Sequence, residues 1–119
     1  MDIQKQVCNQ KLSERLKELG VMQESLFYYT DEKWGIMPKK SIDFSGSPTS
    51  AFTCAELVQM NENIFGIDFS DRHKKFYTLC LNNEVRYFET FADSLAAKLI
   101  QAIKNGWITI DIVNVRLLS

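Results

Sequence analysis

The stretch 90–107 constrains this chain more than any other. Ala92, Leu95, Ala96, Leu99, Ala102 and Ile103 recur at helical spacing, while Ser94, Lys98, Gln101 and Lys104 fall mainly on the opposite side. Thr90 stands where a capping residue belongs, and Asp93 three residues later completes a capping box of the weaker, aspartate kind. Asn105-Gly106 ends the pattern, with Gly106 suited to a left-handed terminal position from which Trp107 folds back onto Ala102. The spacing therefore predicts a helix over 91–105, about 22 Å long at the α-helical rise. The small Ala92, Ala96 and Ala102 let such a helix sit close to a sheet, which must come from the aromatic-rich segments upstream.

Two shorter helices precede it. Over 9–19, Cys8, Leu12, Leu16 and Leu19 share one face, and Gly20 is a left-handed stop that returns Val21 to Leu16. Over 53–60, Thr53 and Glu56 form a capping box, Phe52 staples onto Leu57, and 61–63 ends the helix. Between them, 24–37 reads as a hairpin closed by a four-residue loop at 30–33. That closure pairs Tyr29 with Trp34 and Phe27 with Ile36 on the core face, puts Tyr28 opposite Gly35 on the other, and leaves Pro38 to end the pairing. The segment 39–50 is the least regular, with a surface loop at 45–50. Ile42-Asp43-Phe44-Ser45 recurs as Ile67-Asp68-Phe69-Ser70, by coincidence or as two similar short edge strands.

The segment 65–89 reads as a three-stranded meander, with strands near 65–70, 75–81 and 84–89 and a tight turn at Asn82-Asn83. This pairs Cys80 with Val85 and Thr78 with Tyr87. Phe76, Cys80, Val85 and Tyr87 then share one face, and Tyr77, Leu79, Leu81 and Phe88 the other. A sheet with two apolar faces is either covered twice or carries a partner surface. At the end of the chain, Ile108, Ile110 and Ile112 alternate as in a strand, while Ile110, Val113 and Leu117 fit a helix capped by Thr109. The start signal and the tail Arg116-Leu117-Leu118 favour the helix. The expected fold is a single α+β domain over 1–119: an antiparallel sheet, made of the N-terminal hairpin plus the meander, packed with the long C-terminal helix and two shorter ones. At 119 residues, roughly two-thirds of the unfolded surface can be buried without staples.

The composition, 45% hydrophobic and 24% charged, is that of a globular chain. A formal net charge of -1 argues against a large nucleic-acid footprint and leaves room only for a local patch. No apolar run approaches the ~20 residues of a membrane span, so no membrane partner is expected. The first residues lack the apolar stretch and cleavage site of a signal peptide. Cys8, Cys54 and Cys80 are odd in number and widely spaced, which suits reduced thiols in the cytoplasm.

Leu16-Lys17-Glu18-Leu19-Gly20-Val21 followed by Gln23-Glu24-Ser25-Leu26-Phe27-Tyr28-Tyr29, then Ser50-Ala51-Phe52-Thr53-Cys54-Ala55-Glu56-Leu57, then Phe91-Ala92-Asp93 through Ala96-Ala97-Lys98-Leu99-Ile100 with Asn105-Gly106, form three ordered blocks. In these blocks the chain resembles a group of small uncharacterised bacterial and prophage-encoded proteins. The resemblance covers most of the chain and implies a shared architecture; it brings no activity with it.

Candidate chemistry is sparse. His73, the one histidine, sits in the charged run Asp71-Arg72-His73-Lys74-Lys75 between predicted strands. Nucleophilic catalysis would need an orienting carboxylate and a thiol beside it. Cys54 opens a helix, where a thiolate is favoured. A zinc site would have to gather Cys8, Cys54, Cys80 and His73 from four segments without any Cys-x-x-Cys pair, so no metal and no cofactor is expected. Asp31-Glu32, and Asp68 with Asp71, read as solvated turn acids, and Gly46 and Gly66 stand alone rather than in a phosphate loop. With no catalytic constellation, the reading is a non-enzymatic cytoplasmic protein-interaction module whose partner is another protein or a second copy. Its candidate contact residues are Tyr28, Tyr29, Trp34 and Tyr87. The alternative is a small nucleic-acid-binding protein using Arg72, His73, Lys74 and Lys75, with Phe76 or Tyr77 to stack on bases.

Overall fold

The computed structural model describes residues 3–30, 35–42, 48–61, 67–79 and 85–118. After a 3₁₀ turn at Ile3–Lys5 come α1 (Gln10–Glu18), β1 (Phe27–Tyr29), β2 (Ile36–Pro38), a 3₁₀ turn at Lys39–Ser41 and β3 (Thr49–Ser50). Then follow α2 (Cys54–Met60), β4 (Ile67–Ser70), β5 (Lys75–Leu79), β6 (Val85–Phe88), α3 (Phe91–Lys104) and α4 (Ile110–Leu117). The fold is α+β: helices packed with two antiparallel sheets, ordered β2-β1-β3 and β4-β5-β6. The single expected sheet is thus two, and the irregular segment 39–50 contributes a 3₁₀ turn and the strand β3.

The helix ends are made by nearby residues. The Asn9 side chain accepts the Leu12 N–H at 2.9 Å and starts α1. Gly20, at φ 99°, ends it, with Gly20 N–H donating to the Lys17 carbonyl and Val21 N–H to the Leu16 carbonyl, both at 3.1 Å. This pair of bonds is the Schellman pattern, and it brings the buried Val21 and Leu16 together. α3 ends the same way, Gly106 (φ 72°) donating to Ile103 and Trp107 to Ala102. In α2 the capping box is complete: Thr53 Oγ1 accepts the Glu56 N–H, and Glu56 Oε1 accepts the Thr53 N–H at 2.9 Å. Phe52 and Leu57 are both fully buried there.

α3 packs against α1 and α2 and also against β5 and β6. Burial therefore extends beyond the expected stripe: Ala92, Leu95, Ala96 and Leu99 are buried, and so are Ser94, expected on the polar side, and Ile100. Ser94 is tolerated because its hydroxyl donates to the Phe91 carbonyl at 2.7 Å. Asp93 does not close a box at Thr90. Thr90 Oγ1 accepts the Asp93 N–H, and the Asp93 carboxylate turns instead to the Asn9 N–H at 2.7 Å.

Both predicted strand registers are displaced. In the first sheet Phe27 pairs with Pro38, Tyr28 with Met37 and Tyr29 with Ile36, two residues from the expected pairing. Pro38 remains in the ladder because β2 is an edge strand, where a missing N–H costs nothing. Tyr28, not Phe27 and Tyr29, faces the core and is fully buried. Its hydroxyl is satisfied there, donating to the Gln23 carbonyl at 3.2 Å and accepting the Ser25 N–H at 3.1 Å. Three consecutive aromatics offer no alternation to decide the face. The loop 31–34, including Trp34, lies outside the described residues.

In the second sheet Phe76 pairs with Phe88, Tyr77 with Tyr87 and Leu79 with Val85, a slip of one. Because side chains alternate along a strand, that slip exchanges the faces of β6. Phe88 joins Phe76 on the side of α3, where Phe76 meets Phe91 at 5.6 Å between ring centres. Tyr87 and Tyr77 share the opposite side. The Asn82-Asn83 turn and Cys80 lie outside the described residues. β4 is an edge strand, one of the two readings open for 67–70, while its partner in the four-residue recurrence lies, apart from Ile42, outside the described residues.

The end of the chain is a helix. Thr109 Oγ1 accepts the Ile112 N–H, and Val113 and Leu117 are buried. Asn114 clamps α4 to the end of α1, accepting the Met22 N–H at 2.7 Å and donating to the Gly20 carbonyl at 3.2 Å.

Two outcomes test this packing. Leu99→Ala should cost about 2–5 kcal/mol in urea unfolding, against less than about 0.5 kcal/mol for the exposed Lys104→Ala. Both Gly20→Ala and Gly106→Ala are strained by positive φ, but a Cβ at Gly20 would also stand 3.3 Å from Ile110 Cγ1, whereas one at Gly106 meets nothing within 4 Å. Gly20→Ala should therefore lower the melting temperature more.

Candidate functional site

The second sheet carries α3 on one face; among the described residues, side chains of its other face are partly exposed. β5 and β6 turn Phe76 and Phe88 toward α3, so strand alternation carries Tyr77, Val85 and Tyr87 to the other side. Val85 and Tyr87 are each 43% exposed. The turn Asp71–Lys74 folds over the end of this face. Lys74, at φ 55°, donates its N–H to the Ser70 carbonyl at 2.8 Å. Ser70 Oγ accepts the His73 N–H at 3.2 Å and lies 3.0 Å from His73 Nδ1. These contacts set the imidazole 4.5 Å from the Tyr87 ring centre, and Tyr87 lies 6.1 Å from Tyr77. The result is a short aromatic run, His73–Tyr87–Tyr77, across the open face.

The basic residues divide. Arg72 and Lys74 are exposed on the turn. Lys75 is held by Glu89 at 3.1 Å. His73 lies on Tyr87 rather than beside any described thiol. Of the predicted contact residues, Tyr87 is on the surface and Tyr28 is not: full burial removes it from any interface. Tyr29 is half-buried, with its hydroxyl donating to the Cys8 carbonyl at 2.6 Å.

Tyr29 also lines a cleft of about 580 Å³ with Lys5, Asn9, Ile36, Glu89, Thr90 and Asp93. No local pattern marks it in the chain, because its walls come from separate segments. Three groups in or beside it, Cys8, Tyr29 and Asp93, are held toward their neutral forms. Burial pushes the Cys8 thiol up to about 11, against a smaller opposing effect of the Ser13 hydroxyl 3.0 Å away. Burial also raises the Tyr29 phenol, and it raises the Asp93 carboxyl against the lowering effect of hydrogen bonds from Asn9 and Thr90. Cys54 opens α2, yet burial raises its pKa, so the thiolate expected from its position is disfavoured. Activated nucleophiles need the opposite shift. Among the described residues no three His, Cys, Asp or Glu side chains are gathered to hold a metal ion. Among those residues no helix is long and apolar enough to cross a membrane.

Compared with protein-family models, curated proteins and solved structures, the chain matches none.

Two measurements follow from these shifts. Asp93, raised in the folded state, contributes stability below the ordinary aspartate range that is lost as pH rises through its folded value. Asp93→Asn lacks this titration. Its melting temperature should gain on the wild type as pH is raised from about 3 to 7; parallel curves would contradict the shift. In alkylation followed by mass spectrometry, Cys54 should label before the fully buried Cys8, and Cys8 should label only on unfolding.

Proposed function

We propose that the protein is a non-enzymatic binding module that engages a protein partner through the open face of the β4–β5–β6 sheet. The observation that carries this reading is the exposure of Tyr87 and Val85 on the face that α3 leaves uncovered. Tyrosine provides apolar area with a polar tip, as partner surfaces require. The rim is polar: the Lys75–Glu89 pair and the exposed Arg72 border the aromatic run. The reading includes a cytoplasmic location and, from the resemblance in the three sequence blocks, a prophage-related origin.

A second reading has its own observation. The aromatic run lies beside the exposed cations Arg72 and Lys74, a combination that suits bases stacked on rings with phosphates alongside. On this reading Arg72 and Lys74, rather than Lys75, carry the phosphate contacts.

One pair of variants separates the two. Tyr87→Ser should abolish capture of a specific protein from the native cell extract without lowering the melting temperature, while Arg72→Gln/Lys74→Gln retains it. Fluorescence anisotropy with a labelled oligothymidylate should show no salt-sensitive binding. Binding that weakens with salt and disappears in the double variant would favour the nucleic-acid reading. Capture indifferent to Tyr87→Ser would exclude this face.

A further inference from the structure

α4 presents a second uncovered surface. Val113 and Leu117 point into the core, which turns Ile112 (46% exposed), Val115 (66%) and, just past the helix, Leu118 (60%) to solvent. Ile112 and Val115 are three residues apart and lie together opposite the buried pair. Asp111 and Arg116 flank them on the two sides, Asp111 directly before Ile112 and Arg116 directly after Val115. In a parallel helix pair, two apolar positions three apart form the seam, and the charged residues just outside them meet across it. Asp111 and Arg116 are also five positions apart, the offset at which such flanking residues face one another between parallel helices.

We propose that the protein self-associates as a two-fold dimer through α4, the two helices parallel, with Ile112 and Val115 at the seam. Asp111 of each copy faces Arg116 of the other, and symmetry makes the pair twice. An antiparallel arrangement would set like flanks together, so the charge order selects the parallel one. Across the pair, the Asp111 carboxylate gives the Arg116 guanidinium a charge-assisted bond. Eight residues would not sustain an isolated coiled coil. Here α4 is held in place beforehand by Val113, Leu117 and the Asn114 clamp, so dimerisation need not order it. The surface is separate from the open sheet face, and the inference stands whatever that face binds.

The test is sedimentation equilibrium of the full chain over a wide concentration range. Wild type should pass from monomer to dimer, and Val115→Glu should stay monomeric with an unchanged melting temperature at the lowest concentration. Asp111→Arg and Arg116→Asp should each weaken self-association several-fold. Mixed with one another, they should recover it, because both cross-pairs are then complementary. A wild-type monomer at every concentration would overturn the proposal, as would a dimer indifferent to Val115→Glu. Failure of the mixture to recover association, with both variants folded by circular dichroism, would overturn the parallel arrangement.

Discussion

Asp93 is 8% exposed, and its carboxylate accepts the backbone N–H of Asn9 at 2.7 Å, joining the first turn of α3 to the residue that caps α1. Asn9 serves both sides: its side chain closes α1 on itself while its N–H is given to α3. A hydrogen bond to a charged group is worth about 1.5–3 kcal/mol, and leaving that carboxylate unsatisfied would cost at least as much. The contact sets where the N-terminal segment meets α3. From there Cys8 N–H reaches the Phe52 carbonyl and Cys54 N–H the Gln6 carbonyl, so the same segment is tied to α2. α3 is consequently buried by helices along one side and by β5 and β6 along the other.

Polar side chains at the starts of elements carry much of the remaining assembly. Glu56, besides completing its cap, accepts from the Ser25 hydroxyl at 2.8 Å and from the Leu26 N–H at 3.3 Å, which ties β1 to α2. Asn114 does the corresponding work between α4 and the end of α1. In each case one side chain satisfies backbone groups that the end of an element would otherwise leave unpaired.

The two candidate surfaces follow from how the core is distributed. Fully buried apolar residues come from the N-terminal segment, β1, the link 51–52 and the helices, whereas the described side chains of the second sheet are at most partly buried. That sheet is covered on one side by a single helix, so its other side remains available. α4 packs Val113 and Leu117 into the cluster and leaves Ile112 and Val115 exposed. The cleft lined by Tyr29 and Asp93, by contrast, holds two groups whose burial disfavours charge, which suits structure better than acid–base chemistry.

The helices and their ends are legible in the order of residues alone. Thr53, Thr90 and Thr109 cap as their positions demand, and Gly20 and Gly106 stop α1 and α3, because each signal acts on backbone groups within five residues. That order also determined the strands 27–29, 67–70, 75–79 and 85–88 in outline, from their aromatic and β-branched residues. Tertiary structure alone decided the two registers, the burial of Tyr28 and the exposure of Tyr87, since segments rich in apolar residues on both faces do not encode which side meets the core. It decided as well that the Asp93 carboxylate would take the Asn9 N–H, 84 residues away, rather than the N–H of Thr90. A carboxylate takes whichever donor the packed chain brings to it, and local sequence does not say which donor that will be.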